Sequence, residues 1–413
     1  MTDNAAENGP ADPAVPFISR VRIRNYKSIA ECDVELGSLT VLVGPNGTGK
    51  SNFLDALAFL ARALEISPTH ALDERGGFRE ILRRVPERAE SFNILVETTI
   101  PWWPATPEYK ATYEFEIAPA NLNDLSGFRV LREQCVLRSA FTEMRFSAER
   151  GRGEIISPEG SSSIALRPDS LALQDAPLPP MFRRLRDALR RPRFYNFQTA
   201  IIRQPWPAAT NPVLERNGRG LSDVLATLAS REDRWVKKRI DAYLSAILQS
   251  DSSIEPISVG EYKTIALKTR VDGNEFEFGA LGMSEGTIRG AAVLAALFQP
   301  EALDGRLPLI GIEEPESALH PAAAGALFDA LTEAAEHVQI IAATQSADLL
   351  DREDFKVSDI RPVASQDGLT VIGEVDSVSR EIAREKLMTL GELMRGNQLV
   401  PSPPEGIDLD HES

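Results

Sequence analysis

The chain has 413 residues, of which 43% are hydrophobic, a formal net charge of −16 and two cysteines. This length allows a large core and about one to three domains. No apolar run reaches the ~18 residues of a membrane-spanning helix, and the acidic balance disfavours indiscriminate binding to nucleic acid. Cys32 and Cys135 fit neither a metal-ligand spacing nor a disulfide framework. We therefore expect a cytoplasmic protein with no membrane partner.

The N-terminal part of the chain predicts two strands and a phosphate-binding loop. Residues 17–24 largely alternate apolar and polar side chains and residues 39–43 are mostly apolar, so each is a predicted strand. Residues 44–51 match the pattern G-x-x-x-x-G-K-[ST] at every fixed position, and apolar residues at helical spacing follow them. The loop consists of Gly44, Pro45, Asn46, Gly47, Thr48, Gly49, Lys50 and Ser51, with Asn52 next in the chain.

This strand–loop–helix arrangement predicts binding of a nucleoside triphosphate. Its glycines allow successive backbone N–H groups to point at one phosphate, and the N-terminus of the following helix adds partial positive charge. Lys50 would neutralise the β- and γ-phosphates, and the Ser51 hydroxyl would help to hold Mg²⁺.

The middle of the chain predicts added β-structure followed by helices. Residues 91–147 contain several β-rich runs, which indicate an antiparallel sheet beside the nucleotide-binding part. Residues 151–180 are rich in Gly, Ser and Pro and are a predicted loop, with one short strand near 163–166. Apolar spacing predicts helices over 181–191, 221–228 and 236–248.

The last third of the chain alternates predicted helices and strands, which is typical of a parallel, doubly wound sheet. We expect an α/β fold built on a phosphate-loop nucleotide-binding head, with a mixed or parallel sheet, an added antiparallel β region and an inserted helical lobe. The predicted parts are a disordered N-terminal tail (1–16), a first nucleotide-binding part (17–130), an inserted β/helical lobe (131–299), a second nucleotide-binding part (300–395) and a disordered acidic tail (396–413).

Two adjacent carboxylates follow the predicted strand at residues 307–312. Ligands of open α/β sheets bind at the carboxyl ends of the strands, which is where Glu313 and Glu314 stand. Glu313 could hold Mg²⁺, and Glu314 could accept a proton from the attacking water. An acidic turn on the surface is the alternative, and the phosphate loop elsewhere in the chain makes the catalytic interpretation the stronger one.

A serine precedes the helix predicted at residues 287–298. The hydroxyl of Ser284 and the exposed N–H groups near Gly286 could form a second anion site, with Glu285 between them. Taken alone, these residues favour an ordinary serine-capped helix over an anion site.

Arginines crowd the helix predicted at residues 181–191. They could contact phosphates of DNA or RNA or an acidic partner, and a solvated helix face is the alternative. The cluster consists of Arg183, Arg184, Arg186, Arg190, Arg191 and Arg193.

The order of these motifs resembles the ATP-binding-cassette (ABC) type of ATPase. A phosphate loop comes first, then a Ser-Glu-Gly helix start, then Glu-Glu-Pro-Glu, His320-Pro321 and Thr344-Gln345-Ser346. Residues 23–28, 287–289 and 390–393 strengthen a likeness to the branch that includes SMC, RecF and OLD-type ATPases. The resemblance spans roughly residues 17–395 and is to stand-alone members without a nuclease domain.

The resemblance implies a homodimer in which ATP and Mg²⁺ are enclosed between two copies of the chain. Ser284 and Gly286 of one copy would meet the γ-phosphate held by Lys50 of the other, and Glu314 would act only in the closed dimer. It also implies that Arg24 and Asn25 contact the nucleotide, and that DNA or a separately encoded effector protein is the partner.

Three positions depart from the family pattern. Gln345 stands where these families usually have His, and a glutamine amide cannot carry a proton or a charge. Glu285 stands where Asp or Gly is more frequent. Gln198 is a candidate for the Mg²⁺-sensing glutamine, although it could equally be a strand residue. Slow turnover or a long-lived closed dimer is therefore expected.

The resulting prediction is an ATPase that uses head dimerisation to control DNA or an effector protein, in DNA repair or defence against phage. A nucleotide-gated scaffold without catalysis is the alternative that Gln345 supports. A transporter subunit is disfavoured by the long separation of Lys50 and Ser284, and a nuclease by the short segment after Ser346.

Overall fold

The computed structural model of the chain describes residues 16–402 except 101–107, 122–124, 126, 210–212, 231–234 and 353–354. The two predicted disordered tails therefore lie outside the described residues, apart from Pro16 and residues 396–402. Those last residues pack on the fold, since the backbone N–H groups of Gln398 and Ser402 donate to the carbonyl oxygens of Leu393 and Glu374.

The described strands are distributed along the whole described part of the chain. They are β1 Ile18–Tyr26, β2 Ile29–Glu35, β3 Leu39–Val43, β4 Phe92–Ile100, β5 Tyr109–Pro119, β6 Phe128–Arg138, β7 Glu143–Glu149, β8 Arg152–Ser157, β9 Gly160–Ala165, β10 Arg193–Tyr195, β11 Trp206–Pro207, β12 Asp251–Val259, β13 Tyr262–Val271, β14 Asn274–Gly279, β15 Leu309–Glu313, β16 Gln339–Thr344, β17 Ile360–Gln366 and β18 Leu369–Ile372.

The described helices are mostly short. They are α1 Lys50–Glu65, α2 Pro68–Asp73, α3 Phe78–Ile81, α4 Ala172–Asp175, α5 Pro180–Leu189, α6 Thr199–Ile202, α7 Leu221–Ser230, α8 Trp235–Leu248, α9 Glu285–Leu297, α10 Pro300–Leu303, α11 Ala324–Ala334, α12 Ser377–Arg384 and α13 Leu390–Arg395. None of those in the described ranges is long and apolar enough to cross a bilayer.

One large mixed sheet organises the fold. Within the described residues its strand order is β10-β15-β16-β3-β17-β18-β2-β1-β4-β5-β6-β7-β8-β9. The first five strands pair in parallel, and every residue of β3 and β16 is buried, as expected for strands covered on both faces. The strands from β1 and β2 through β9 form antiparallel pairs. The predicted α/β head with a mixed sheet and an antiparallel addition is thus confirmed.

The antiparallel region continues the same sheet and extends further than the sequence indicates. The predicted part boundary at residue 130 falls inside β6, so one strand spans it. Residues 151–180, expected to be mostly loop, contain both β8 and β9. β9 exposes all its residues except Ile164, and such a strand lacks the apolar alternation that reveals strands in a sequence.

The inserted lobe combines the predicted helices with a second, antiparallel sheet that the sequence pattern did not predict. In this sheet β13 pairs with β11, β12 and β14, and α7 and α8 pack against β12. All of β14 is exposed, and only Ile254, Ile265, Ala266 and a serine are buried in β12 and β13. These strands therefore show too few buried positions for a period-two pattern.

Two apolar clusters cover the two faces of the parallel strands. Leu42 of β3 belongs to the cluster that contains α1, whereas Val41 and Val43 belong to the cluster that contains α9 and α11. In α9 every residue after Glu285 is buried, so this helix forms the centre of the second cluster. The helix that follows Ser284 is thereby packed against β15, the strand that leads into the acid pair Glu313 and Glu314.

A buried leucine of α11 allows a direct test of this packing. Leu331 is fully buried there, whereas Leu387 lies on the surface and is 74% exposed. We expect Leu331→Ala to lower the free energy of unfolding by about 2–5 kcal/mol, because it removes buried methyl groups and leaves a cavity. Leu387→Ala should change it by less than about 0.5 kcal/mol. Chemical denaturation would measure both, and equal losses would contradict the placement of α11 in the core.

Candidate active site

The phosphate loop runs from the buried end of β3 into the first turn of α1. Gly47 and Gly49 have positive φ values of 79° and 104°, a conformation that glycine adopts without a steric penalty. The Lys50 ammonium group donates to the carbonyl oxygens of Gly44 at 2.6 Å and Pro45 at 2.8 Å. Burial lowers the pKa of Lys50, while the charges of nearby carboxylates oppose this shift. The carbonyl oxygens at the start of the loop thus hold the side chain of Lys50.

A distant strand holds the loop in place. The Thr370 hydroxyl of β18 donates to the Thr48 carbonyl oxygen at 2.8 Å and shares a 2.6 Å hydrogen bond with the Ser28 hydroxyl. The Asn52 amide donates in turn to Ser28 at 2.6 Å. A Cβ atom on Gly49 would lie 2.0 Å from the Thr370 hydroxyl oxygen. Nothing local in the sequence signals Thr370, which sits far along the chain.

The acid pair lies beside the loop because β15 and β3 flank β16 in parallel register. Glu313 pairs with Ala343 of β16, and the next residue of β16 pairs with Val43 just before the loop. The Ser51 hydroxyl donates to Glu313 Oε2 at 2.7 Å. The structure therefore brings together the two residues predicted to hold Mg²⁺.

These two oxygen donors fit magnesium chemistry. No group of three or more His, Cys, Asp or Glu side chains that could hold a metal occurs in the described part of the chain. Mg²⁺ in nucleotide sites takes one or two protein ligands and completes its shell with phosphate oxygens and water. The Ser51 hydroxyl and the Glu313 carboxylate, which is 16% exposed, could be those two protein ligands, because they are already within hydrogen-bond distance of each other.

Glu314 and Gln345 also lie together. Glu314 has a positive φ of 45°, an unusual conformation for a residue with a side chain, and its N–H donates to the Ala343 carbonyl oxygen at 2.7 Å. The Gln345 amide donates to Glu314 Oε1 at 3.4 Å. Such backbone strain costs of order 1–3 kcal/mol and is frequent at functional sites.

Glu316 is a third carboxylate at this edge, for which the sequence motifs suggested no role. The Thr344 hydroxyl donates to its Oε1 at 2.6 Å, and its buried Oε2 has no hydrogen-bond partner among the residues that the structure describes. Burial raises the pKa of Glu316. The pair of acidic residues expected from the sequence is thus a cluster of three.

The predicted Ser-Glu-Gly helix start caps α9. Ser284 Oγ accepts from the Thr287 N–H at 3.0 Å, and the Glu285 carboxylate accepts from the Thr199 hydroxyl at 3.3 Å. A Cβ atom on Gly286 would lie 2.3 Å from the Ala318 carbonyl oxygen, so glycine is required by the turn that follows the acid cluster. No described contact joins these residues to the phosphate loop of the same chain.

Arg289, one turn further along α9, connects three parts of the site. Its buried guanidinium donates to the carbonyl oxygens of Phe197 at 2.9 Å, Glu313 at 3.2 Å and Glu314 at 3.1 Å. Arg289 therefore positions the backbone of the acid pair against the segment after β10. The family pattern at residues 287–289 includes this arginine, but the pattern alone indicated no role for it.

Gln198 lies at the same edge of the sheet. β10 pairs in parallel with β15, with Tyr195 opposite Ile312, and the Gln198 N–H donates to the Asn217 carbonyl oxygen at 3.0 Å. Its side chain is exposed. This position is compatible with the predicted Mg²⁺-sensing role, which stays a prediction.

The structure does not bring Arg24 and Asn25 to the loop by any described contact. Arg24 forms an exposed ion pair with Glu31 at 2.7 Å, and the Asn25 amide oxygen accepts from Arg83 at 2.9 Å. His320 Nδ1 accepts from the Ala322 N–H and so caps the start of the short 3-10 helix Pro321–Ala323. Nucleotide contact by Arg24 and Asn25 remains a prediction.

The basic cluster is partly neutralised. Arg186 and Arg190 both pair with Asp187, and Arg193 lies 3.8 Å from Glu65. Arg183, Arg184 and Arg191 are exposed. These three arginines are therefore the members of the cluster that a nucleic acid could reach most easily.

Two family models match the chain. The model described as "AAA domain, putative AbiEii toxin, Type IV TA system" matches residues 165–351, which include Ser284, Glu313, Glu314 and Gln345. The model described as "AAA ATPase domain" matches residues 17–118, which include the phosphate loop.

Curated relatives named "DNA replication and repair protein RecF" match short stretches. The protein of Corynebacterium jeikeium is 38% identical over 63 residues, 14% of this chain and 15% of that protein. The protein of Gloeobacter violaceus is 39% identical over 74 residues, 18% of each. The chain thus spans less than a fifth of the length of these two relatives.

Solved SMC heads are similar over most of their length but at low identity. A head bound to the C-winged helix domain of ScpA is 14% identical, with a TM-score of 0.49, covering 90% of this chain and 100% of that one. The Thermotoga maritima head is 13% identical, with a TM-score of 0.40, covering 87% and 99%. The comparisons thus show similarity to AAA-type ATPase domains over residues 17–118 and 165–351, and to RecF proteins over short stretches.

Proposed function

We propose that this chain hydrolyses ATP and uses ATP-driven head-to-tail dimerisation to control DNA or a separately encoded effector protein. The 2.7 Å hydrogen bond between Ser51 and Glu313 carries the proposal, because it joins the phosphate loop to the acid pair. A phosphate-binding loop without that carboxylate would only bind nucleotide.

Each residue of the site has a role in this chemistry. The backbone N–H groups of residues 44–51 and the Lys50 ammonium would bind the β- and γ-phosphates. Ser51 and Glu313 would hold Mg²⁺, which supplies charge neutralisation of the phosphates. Glu314 would accept a proton from the attacking water, and Gln345, 3.4 Å from it, would orient that water or the γ-phosphate.

Dimerisation supplies what a single chain lacks. Ser284 is exposed at the start of α9, and the described hydrogen bonds of its hydroxyl are confined to Thr287 of the same helix. A second copy could present this helix N-terminus to the γ-phosphate, because the hydroxyl and the free N–H groups attract anions. ATP would then join the two copies, and hydrolysis would release them.

DNA repair and defence against phage are the proposed settings, in the cytoplasm. The RecF relatives are named for DNA replication and repair, and one family model is described by a toxin–antitoxin system. The exposed Arg183, Arg184 and Arg191 offer a surface for phosphate groups.

A nucleotide-gated scaffold is the second candidate function. Its support is Gln345, whose amide can hydrogen-bond a phosphate but cannot carry a proton or a charge. In that case the ATP-bound dimer would persist without turnover, and the measured rate of phosphate release separates the two candidates.

The two left-handed glycines allow a matched test of nucleotide binding. Gly49→Ala would place a methyl group against Thr370, whereas a Cβ on Gly47 meets no atom within 4 Å. Both changes strain the backbone, by about 1–2 kcal/mol each. We expect Gly49→Ala to weaken ATP binding at least tenfold more than Gly47→Ala, with Lys50→Ala as the reference for complete loss. Titration with a fluorescent ATP analogue measures this, and equal losses would argue against the Thr370 contact.

Replacement of the proposed base should separate binding from hydrolysis. Glu314→Gln keeps the shape of the side chain but cannot accept the proton, so hydrolysis should fall by about 10²–10⁴-fold. With Mg²⁺ and ATP the variant should elute as a dimer, and without nucleotide as the parent does. Glu336→Gln, an exposed acid elsewhere, serves as the control. Hydrolysis at the parental rate would rule out Glu314 as the base.

Charge removal tests the DNA surface. Arg183→Gln combined with Arg184→Gln should weaken DNA binding about tenfold and reduce the number of ions released on binding by about one for each arginine replaced. Arg306→Gln combined with Arg384→Gln removes the same charge from side chains that are 59% and 70% exposed. Filter binding at several salt concentrations compares the pairs. If both pairs behave alike, the basic cluster is a solvated helix face.

A further inference from the structure

An arginine occupies the side of Glu313 that faces away from Ser51. Arg216 Nη2 lies 3.4 Å from Glu313 Oε1, while Glu313 Oε2 accepts from Ser51. Both oxygens of the carboxylate are therefore engaged, one by the phosphate-loop helix and one by a guanidinium. Arg216 lies in none of the motifs that the sequence revealed.

The backbone that carries Arg216 is firmly held. The Arg216 carbonyl oxygen accepts from the Asn196 N–H at 2.9 Å, next to the end of β10. Leu214 is buried, and a Cβ atom on Gly218 would lie 2.5 Å from the Ile202 side chain. Since β10 ends at the same edge as β15, this turn places Arg216 at the acid cluster.

The side chain, by contrast, is held by weaker contacts. The Arg216 side chain is 52% exposed, and its one described ion pair, at 3.4 Å, is longer than a close guanidinium–carboxylate contact. An exposed pair of this kind is worth about 1 kcal/mol or less. A divalent cation at Glu313 would outcompete it, because two positive charges cannot share that carboxylate without repulsion.

A triphosphate in the loop would offer the displaced arginine a new partner. Lys50 would bind the β- and γ-phosphates, but the carboxylates of the acid cluster at the same edge repel the γ-phosphate. A guanidinium binds phosphate through two parallel hydrogen bonds, which an ammonium group cannot do. The γ-phosphate is the anion nearest to the Mg²⁺ that Glu313 would hold.

We propose that Arg216 exchanges partners when nucleotide binds. In the nucleotide-free chain it pairs with Glu313 and so weakens the binding of divalent cations there. In the loaded chain it binds the γ-phosphate and so distinguishes ATP from ADP. This inference rests on the proposed binding of Mg²⁺ and ATP at this site.

Arg219 provides the matched control. It lies in the same turn, its guanidinium is 4.1 Å from the centre of the Trp206 ring, and it pairs with Glu215 rather than with the acid cluster. Arg216→Ala, Arg216→Lys and Arg219→Ala would be compared with the parent chain at full length, and thermal melting would verify that each is folded.

Two measurements test the exchange. Without nucleotide, Mn²⁺ binding followed by electron paramagnetic resonance should be at least threefold tighter in Arg216→Ala than in the parent. With Mg²⁺, the affinity of Arg216→Ala for ATP should fall about tenfold and its affinity for ADP less than twofold. Arg216→Lys should lie between Arg216→Ala and the parent, because lysine keeps the positive charge but cannot form two parallel hydrogen bonds.

The outcomes separate this inference from the proposed function. Unchanged Mn²⁺ affinity in Arg216→Ala, or equal losses of ATP and ADP affinity, would overturn the exchange while ATP binding by the parent stands. Failure of the parent chain itself to bind ATP would instead overturn the proposed function.

Discussion

The parallel pairing of β3, β16 and β15 is the constraint on which the site depends. Residues of the outer two strands face the same residues of β16, so the phosphate loop and the acid pair leave the sheet at one edge. A shift of one residue in either pairing would turn Glu313 to the other face and away from Ser51. The burial of β3 and β16 on both faces makes such a shift costly.

Basic side chains from several parts of the chain lie at this edge. Glu313 ends β15 and Glu314 and Glu316 follow it, and Lys50, Arg216 and Arg289 surround these carboxylates in different ways. Lys50 binds carbonyl oxygens of its own loop, Arg216 pairs with Glu313, and Arg289 holds the backbone rather than the carboxylates. Of these three basic groups, Arg216 alone pairs with a carboxylate in the described part of the chain, so the negative charge of this edge is partly neutralised.

We propose that a second copy of the chain contributes the start of α9 to the site. Within one chain, this helix start makes no described contact with the phosphate loop. α9 is buried along its length, and Gly286 packs on the Ala318 carbonyl oxygen, so Ser284 is tied to the acid cluster of its own chain. A movement of the acid cluster on nucleotide binding would therefore reach the helix start that a second copy would use. The strained backbone at Glu314 lies within this connection.

The sequence by itself determined the local chemistry: the loop at residues 44–51, the acid pair after an apolar strand, the serine cap of α9 and the α/β alternation. Each depends on neighbouring residues, whose spacing a sequence displays directly. Only the tertiary structure decided that Thr370 anchors the loop, that Arg216 covers Glu313 and that β12 to β14 form a sheet. Those contacts join distant segments, or strands with few buried residues, and no local pattern records which parts of a folded chain meet.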